Sequence, residues 1–352
     1  AAIRTLIRRC LTKDPKQRLR DIGEARVTID DAIAGRSGDD APKVAGVTAS
    51  RAASSWLPWG IAGLLAVVSL YLLARPPAAV PPTQSISAAL SLPSDVEFFR
   101  SPALSADGTV AAFIGVRLGV RQIYVRRLDT AEVVPVPGTE TASVSALSPD
   151  GSQVAFVNTF GLLMRMSIDG TASQQLATLA DYSGSVTWGP DDRIVFTKDA
   201  VLWGVPATGG EGRALTSLDA VQAEVRHHLP VVSTDAAFLF YQSLGGANGT
   251  EVKLKALDLA NGTVTVVADD NSQAVWASPD QVVLARDSAL FVGRLQNGRL
   301  AGTPVRLYGD VAVDQAGSAS AGVSATGNLI AASADVSLGR LFWVSQAGVD
   351  TP

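Results

Sequence analysis

One pattern recurs through most of this chain and limits what it can fold into. The segment Leu147-Ser-Pro-Asp-Gly-Ser-Gln-Val-Ala-Phe-Val157 is matched by Leu104–Ile114 and by Trp188–Phe196. Weaker copies run over Val232–Phe240, Ala277–Leu284 and Val323–Ile330. The turn positions are Asp107, Asp150, Asp191, Asp235, Asp280 and Thr326, spaced by 43, 41, 44, 45 and 46 residues. In each copy a Pro-Asp or Asp-Gly turn leads into an apolar strand. A second, alternating strand follows, as in residues 122–128, 162–168 and 251–257, then a turn such as Asp169-Gly170 or Asn261-Gly262 and a third strand. Side chains alternate across a strand, so Ile123 and Val125 face one neighbour and Tyr124 the other. A unit this thin cannot cover both of its faces alone, and radial stacking buries them while leaving only short edges. A period in the forties built of short strands marks a β-propeller. Six turn signals predict six blades over residues 84–352. Residues 84–92 supply the outer strand missing after Trp343, or further units follow Pro352.

The chain ahead of the propeller has a different character. Residues 56–74, WLPWGIAGLLAVVSLYLLA, carry no charge. As a helix they span roughly 28 Å, close to the hydrocarbon thickness of a bilayer. Trp56, Trp59 and Tyr71 sit near its ends, where amphipathic rings prefer the headgroup level, and Arg51 and Arg75 bracket it. This predicts one transmembrane helix. Residues 1–83 hold 12 Lys and Arg against 7 Asp and Glu, and residues 84–352 hold 17 against 26, so charges of +5 and −9 make up the net −4. The basic side is expected in the cytoplasm and the propeller outside, in the periplasm of a cell with a single-pass inner-membrane protein. An acidic outer domain repels phosphate and argues against nucleic acid as a partner. Cys10, the only cysteine, lies on the basic side, so the propeller has no disulfide. Residues 36–55 read as a flexible juxtamembrane linker and residues 75–83 as an extended Pro-rich spacer. Gly60 and Gly63 share one side of the predicted helix, a thin basis for homodimerisation.

Residues 1–35 read as two amphipathic helices. Ile3, Leu6, Ile7, Cys10 and Leu11 recur at helical spacing. Asp14 caps a turn opened by Pro15, and Asp21 with Glu24 forms a capping box ahead of Ile22, Ala25, Ile29, Ala32 and Ile33. Some thirty residues are too few for a stable core of their own, and the chain opens in mid-pattern without Met, so a partner segment is expected upstream. The run Leu6-Ile7-Arg8-Arg9-Cys10-Leu11-Thr12-Lys13-Asp14-Pro15-Lys16-Gln17-Arg18 resembles the end of a protein kinase catalytic domain. In that family an apolar helix is followed by L-x-x-D-P-x-x-R and a closing helix. The resemblance assigns Asp14, Pro15 and Arg18 to the structural tail motif, with Arg18 matching the arginine that pairs with the glutamate of A-P-E. It covers residues 1 to about 34. The propeller after it resembles the TolB-like propellers of bacterial receptor-type Ser/Thr kinases.

No catalytic, cofactor-binding or metal-binding residue is assigned within this chain. It lacks the Gly-rich phosphate loop, the V-A-I-K lysine, H-R-D, D-F-G and A-P-E. The resemblance places ATP and magnesium in a kinase lobe outside it. His227 and His228 adjoin on a strand and point to opposite faces, a poor joint metal site. Asp107, Asp150, Asp191, Asp235 and Asp280 are read as turn formers, and Met164, Met166, Trp188, Trp203, Trp276 and Trp343 as blade core. The absence of G-x-S-x-G weighs against an attached hydrolase. The expectation is therefore a mostly β chain: a six-bladed propeller preceded by one transmembrane helix and a short helical remnant of a kinase C-lobe. Its function would be the sensor half of a membrane-anchored Ser/Thr kinase, binding a protein or small ligand outside the cell membrane. The alternative is a membrane-tethered propeller scaffold without kinase activity.

Overall fold

The computed structural model describes residues 88–90, 92–130, 132–179, 185–313, 318–333 and 341–344, with Gly23, Arg26, Ile29, Asp30 and Ile33; for 88–90 and 341–344 it describes the backbone alone. The chain divides into two compact units, Ala1–Ala79 and Val80–Pro352. In the first, the five described residues are helical, and Arg26 faces Asp30 at 4.0 Å.

The second unit is built of antiparallel sheets. Blade one is β2 (Glu97–Leu104), β3 (Val110–Arg117), β4 (Val120–Arg127) and β5 (Val133–Pro135). Blade two is β6 (Ala142–Leu147), β7 (Gln153–Asn158), β8 (Leu162–Ser167) and β9 (Ser173–Thr178). Blade three is β10 (Val186–Trp188), β11 (Arg193–Lys198), β12 (Val201–Pro206) and β13 (Arg213–Ala214). Blade four is β14 (Arg226–Val232), β15 (Phe238–Gly245), β16 (Glu251–Asp258) and β17 (Val264–Ala268). Blade five is β18 (Gln273–Ala277), β19 (Gln281–Arg286), β20 (Ala289–Gln296) and β21 (Arg299–Leu300), with β22 (Val305–Gly309) also on β20. A last sheet joins β1 (Ala88–Leu90) to β25 (Leu341–Val344), β24 (Leu329–Ala332) and β23 (Ala321–Val323), in that order.

The chain is mostly β, but the expected fold needs correction. Five blades are each made of consecutive strands, and the remaining sheet is a composite closed by the strand that precedes blade one. Its turn carries Thr326 where the others carry Asp, and among the described residues two short strands, β24 and β25, follow it, with β1 on the outer edge through Ala88↔Trp343 and Leu90↔Leu341. Six equivalent blades are therefore not what the sequence builds. The expected transmembrane helix is not found among the described residues, where no helix is long and apolar enough to cross a membrane. Residues 56–74, like Asp14, Pro15 and Arg18, lie outside the described residues, and the expected helical remnant reduces to the five helical residues above.

The core is a series of wedges between sheets. Val110, Ile114, Ile123 and Val125 of blade one meet Leu147, Val154 and Phe156 of blade two. Ala155, Val157 and Leu163 meet Ile194, Phe196 and Val205 across the next seam. Tyr124 points the other way, stacked on Phe113 at 5.7 Å between ring centres. The second strand of each blade is covered on both faces, so β3, β7, β11, β15 and β19 are buried almost continuously, while the outer strand β9 alternates with solvent. Between the composite sheet and blade one, Ala111, Ile330 and Ala332 are buried together among the described residues.

Candidate functional site

The first strand of every sheet lies nearest the axis. Among the described residues β2, β6, β10, β14, β18 and β23 contact one another in a closed circuit. They surround a channel of about 710 Å³, within the range that takes a drug-sized ligand. Its two ends differ in chemistry.

The turn end is built by the repeat. In blade two the Ser148 hydroxyl donates to Asp150 Oδ1 at 2.6 Å. That oxygen accepts the Ser152 N–H at 3.0 Å, and Ser148 Oγ accepts the Gln153 N–H at 2.9 Å. The same knot holds Ser105 to Asp107 and Ser233 to Asp235, each at 2.6 Å, and Ser278 to Asp280 at 2.9 Å. The Ser148 hydroxyl, then the Ser152 hydroxyl and N–H, hold the Asp150 carboxyl below its usual range; Ser105 and Thr109 do the same for Asp107. Blade three departs from the rule: Gly189 replaces the serine, and Asp191 pairs instead with Arg193 at 3.1 Å. Gly151 takes φ 72°, and a Cβ there would meet Ser105 and Val110 of the neighbouring turn at 3.1 Å. Adjacent turns are joined directly, Ala106 N–H donating to the Pro149 carbonyl at 2.7 Å. The residue between Ser and Asp therefore faces the channel, and Ala106, Pro149, Pro190, Thr234 and Ala325 form a mostly apolar collar. The five aspartates are tied within their own turns and none lines the channel, although Asp107 and Asp150 share a cleft between blades one and two with Asp169 and Arg127.

The opposite end, where the inner strands begin, is polar and irregular. Bulges interrupt β2 near Arg100, β6 between Ala142 and Val144, β14 between His228 and Val231, and β18 between Ala274 and Trp276. Bulges re-aim side chains and collect beside functional sites. Ser101 (φ 57°) and Leu229 (φ 51°) both adopt a left-handed backbone immediately before a proline, where an extended one is preferred. Such a conformation persists only where neighbours fix it, and Leu229 N–H donates to Ser185 Oγ of blade three at 2.7 Å. Arg100 and Arg121 both pack on the ring of Phe99, at 4.7 and 4.0 Å. His228 faces the channel; burial, then the nearby Arg226, lowers its pKa to about 4, so it is neutral at pH 7.

His227, one residue away, points to the other side. Its Nε2–H donates to Glu224 Oε2 at 3.0 Å, and its Nδ1 accepts the Thr216 hydroxyl at 2.9 Å, an assignment set by the carboxylate's being able only to accept. Glu224 also accepts from Ser243 at 2.6 Å, from the Asp219 N–H at 2.7 Å and from the Lys255 ammonium. Burial pushes the Glu224 carboxyl up, but the hydrogen bonds from Lys255, Ser243, Asp219 and His227 more than reverse this and bring it to about 2. Burial keeps His227 below its ordinary value, so the charge balance of this sealed cluster is Glu224 with Lys255. It binds the loop ahead of β14 to blade four, behind the channel wall.

Trp188 and Trp276, read from sequence as blade core, pack in or against the seams between blades and also line the channel, and Met166 is buried between blades one and two. Among the described residues no group of three or more His, Cys, Asp or Glu could hold a metal ion. Arg100, Arg121, His228 and Glu224 were not legible as site residues from sequence. The available signal was Ser101-Pro102 and Leu229-Pro230 just before two of the turn motifs, since proline within a strand marks a bulge or an edge.

Neither a protein-family model nor a curated protein matches this chain. Among solved structures it is similar to TolB from Acinetobacter baumannii, with 15% identity over 70% of this chain and a TM-score of 0.45. This chain covers 54% of that protein's length. It is also similar to a putative TolB from Agrobacterium tumefaciens (16% identity, 72% of this chain, 91% of that one, TM-score 0.48). An oligogalacturonate lyase from Vibrio parahaemolyticus is a third (11% identity, 74% and 93%, TM-score 0.46). The chain is a β-propeller on its own strand pairing, with TolB proteins among its structural neighbours.

Proposed function

We propose that this chain is the sensing and docking part of a membrane-anchored Ser/Thr protein kinase, with its propeller outside the cytoplasm as the binding module. The observation that carries the binding role is the channel, into which every inner strand contributes and whose two ends differ in chemistry. The kinase link rests on the sequence order: the D-P-x-x-R tail at Asp14, Pro15 and Arg18, the uncharged run 56–74, then the propeller. Phosphoryl transfer, with ATP and magnesium, belongs to a catalytic lobe N-terminal to Ala1 and not to the propeller. Occupancy of the channel would set kinase output, through pairing of two copies or through a change within one.

The test is autophosphorylation of the protein expressed from its own locus, with and without residues 84–352. Loss of the propeller is expected to change the dependence of phosphate incorporation on conditions outside the membrane. Phosphorylation unchanged in every condition would end the sensor reading. No incorporation by either form, with no H-R-D or D-F-G encoded in frame upstream, would leave a tethered binding scaffold.

A further inference from the structure

The hairpins that join the second and third strands of the blades turn back at the end where the inner strands begin, because strand direction alternates across each sheet. Three of them are two-residue tips with both residues at positive φ: Leu118-Gly119 (50° and 78°), Asp199-Ala200 (51° and 64°) and Asp287-Ser288 (50° and 57°). Such tips favour Asn, Asp or Gly in the first place, where a bulky side chain is strained. Blades three and five follow that preference, and blade one does not. Leu118 takes the strained conformation and is 93% exposed, so its side chain returns almost nothing to the fold. Blade two presents an apolar residue by another route. The buried Asn158 accepts the Phe160 and Leu162 N–H groups on its Oδ1 at 3.0 and 2.9 Å, and the Gly161 carbonyl accepts the Leu179 N–H at 2.7 Å. The backbone of this tip is tied down, yet the Phe160 side chain is left in solvent, the residue being 74% exposed. Between blades three and four, Val221 is 96% exposed on a turn closed by Asp219, whose own N–H donates to the buried Glu224. Single apolar side chains at a surface are ordinary. Three of them held on one end of the propeller, one at the cost of backbone strain, are what a contact surface requires.

The same end carries exposed acids: Glu140 between blades one and two, Asp199 on blade three and Asp287 on blade five. The cations beside these tips are engaged on the fold, Arg117 with Asp95 at 2.7 Å, Lys198 over the Trp203 ring at 4.7 Å and Arg286 with Asp270. Residues 84–352 sum to −9. Such a surface repels an anionic bilayer and a second copy presenting the same acids, and it attracts a cationic segment. We propose that this end of the propeller docks a basic protein segment, whose apolar side chains seat on Leu118, Phe160 and Val221 and whose Lys and Arg meet Glu140 and Asp199. This rests on the reading of the propeller as a docking module and names the chemistry of its partner.

Isothermal titration calorimetry on the intact chain tests it. The probe is a short amphipathic peptide of leucine and lysine, with a leucine–glutamate and a serine–lysine peptide of the same pattern as controls. The leucine–lysine peptide is expected to bind, and each control to bind at least roughly tenfold more weakly. Leu118→Asn combined with Phe160→Ser should weaken the leucine–lysine peptide by roughly tenfold or more. Leu118→Asn alone should also raise the urea midpoint of unfolding, since asparagine suits that tip better than leucine. Should the double variant fail to fold, Glu140→Lys with Asp199→Lys decides, and is expected to weaken the same peptide. Equal binding of the three peptides, binding unmoved by the substitutions, or a urea midpoint lowered by Leu118→Asn overturns the proposal. Anionic phospholipid vesicles bound by the unaltered chain and less by the double variant would put a membrane on this surface, and self-association lost in the double variant would put a second copy there; either result overturns it too. A propeller-dependent change in autophosphorylation would survive such results, so the two readings fail separately.

Discussion

The two ends of the channel are made by different rules. At the turn end one device is repeated: a serine hydroxyl on an aspartate, the aspartate on the backbone two residues on, and a small or apolar residue between them facing the axis. At the other end no one device runs through every blade. Bulges interrupt β2, β6, β14 and β18, left-handed Ser101 and Leu229 precede prolines, two arginines share Phe99, and a sealed cluster surrounds Glu224. The repeat builds the scaffold, and departures from it carry whatever distinguishes this propeller from another. The cost of each device should then differ, because the turn end uses part-buried hydrogen bonds and the other end uses a buried ion pair.

The largest effect is expected at Glu224. Glu224→Gln leaves the Lys255 ammonium buried without its counter-charge and should cost about 3–5 kcal/mol in urea unfolding. Replacing both partners by apolar residues of similar size, Glu224→Leu with Lys255→Met, should cost less than the single change. A loss under about 1 kcal/mol for Glu224→Gln would show that the cluster is not the buttress it is taken to be.

The next contrast is in pH. The His228 imidazole is held below its unfolded value, so the unfolded chain takes up its proton first. Its contribution is complete above pH 6.5 and is lost as pH falls through about 4. The Glu224 carboxylate is also depressed, so its contribution is present above pH 4.5 and is lost as pH falls through about 2. Thermal unfolding followed from pH 7 to pH 2 should show two successive declines, and His228→Leu should lessen the upper one, leaving the part due to His227. A single decline unchanged by that substitution would remove His228 from the account.

The smallest effect belongs to one turn. Asp150→Ala breaks the hydrogen bonds from Ser148 and Ser152 but leaves Gly151 and the strands in place, and should cost about 1 kcal/mol. A cost as large as that of Glu224→Gln would erase the distinction between the two ends.

Much of the scaffold is written in local sequence. The turn motif and the apolar strand after it mark each blade, and alternation alone sends Ile123 and Val125 toward blade two and Tyr124 toward Phe113. The same alternation sends His227 into the sealed cluster and His228 to the channel. β1 pairs with β25, one of the two outcomes the sequence left open for the last sheet. The channel was less legible. Period-two reasoning fails across a bulge, and the inner strands carry most of the bulges. Arg121 comes to the channel from β4, through a ring contact with β2 that no local pattern records. Lys255 and Glu224 are 31 residues apart and meet because a loop folds back on blade four. The equivalence of six blades failed at the last sheet, whose turn lacks its aspartate and whose outer strand is β1.

The central claim is that repeated turns build the scaffold and that single buried devices hold the strand-start end. Urea unfolding of Glu224→Gln beside Asp150→Ala tests it most directly. The account predicts a loss of about 3–5 kcal/mol for the first against about 1 kcal/mol for the second. Equal losses would contradict it.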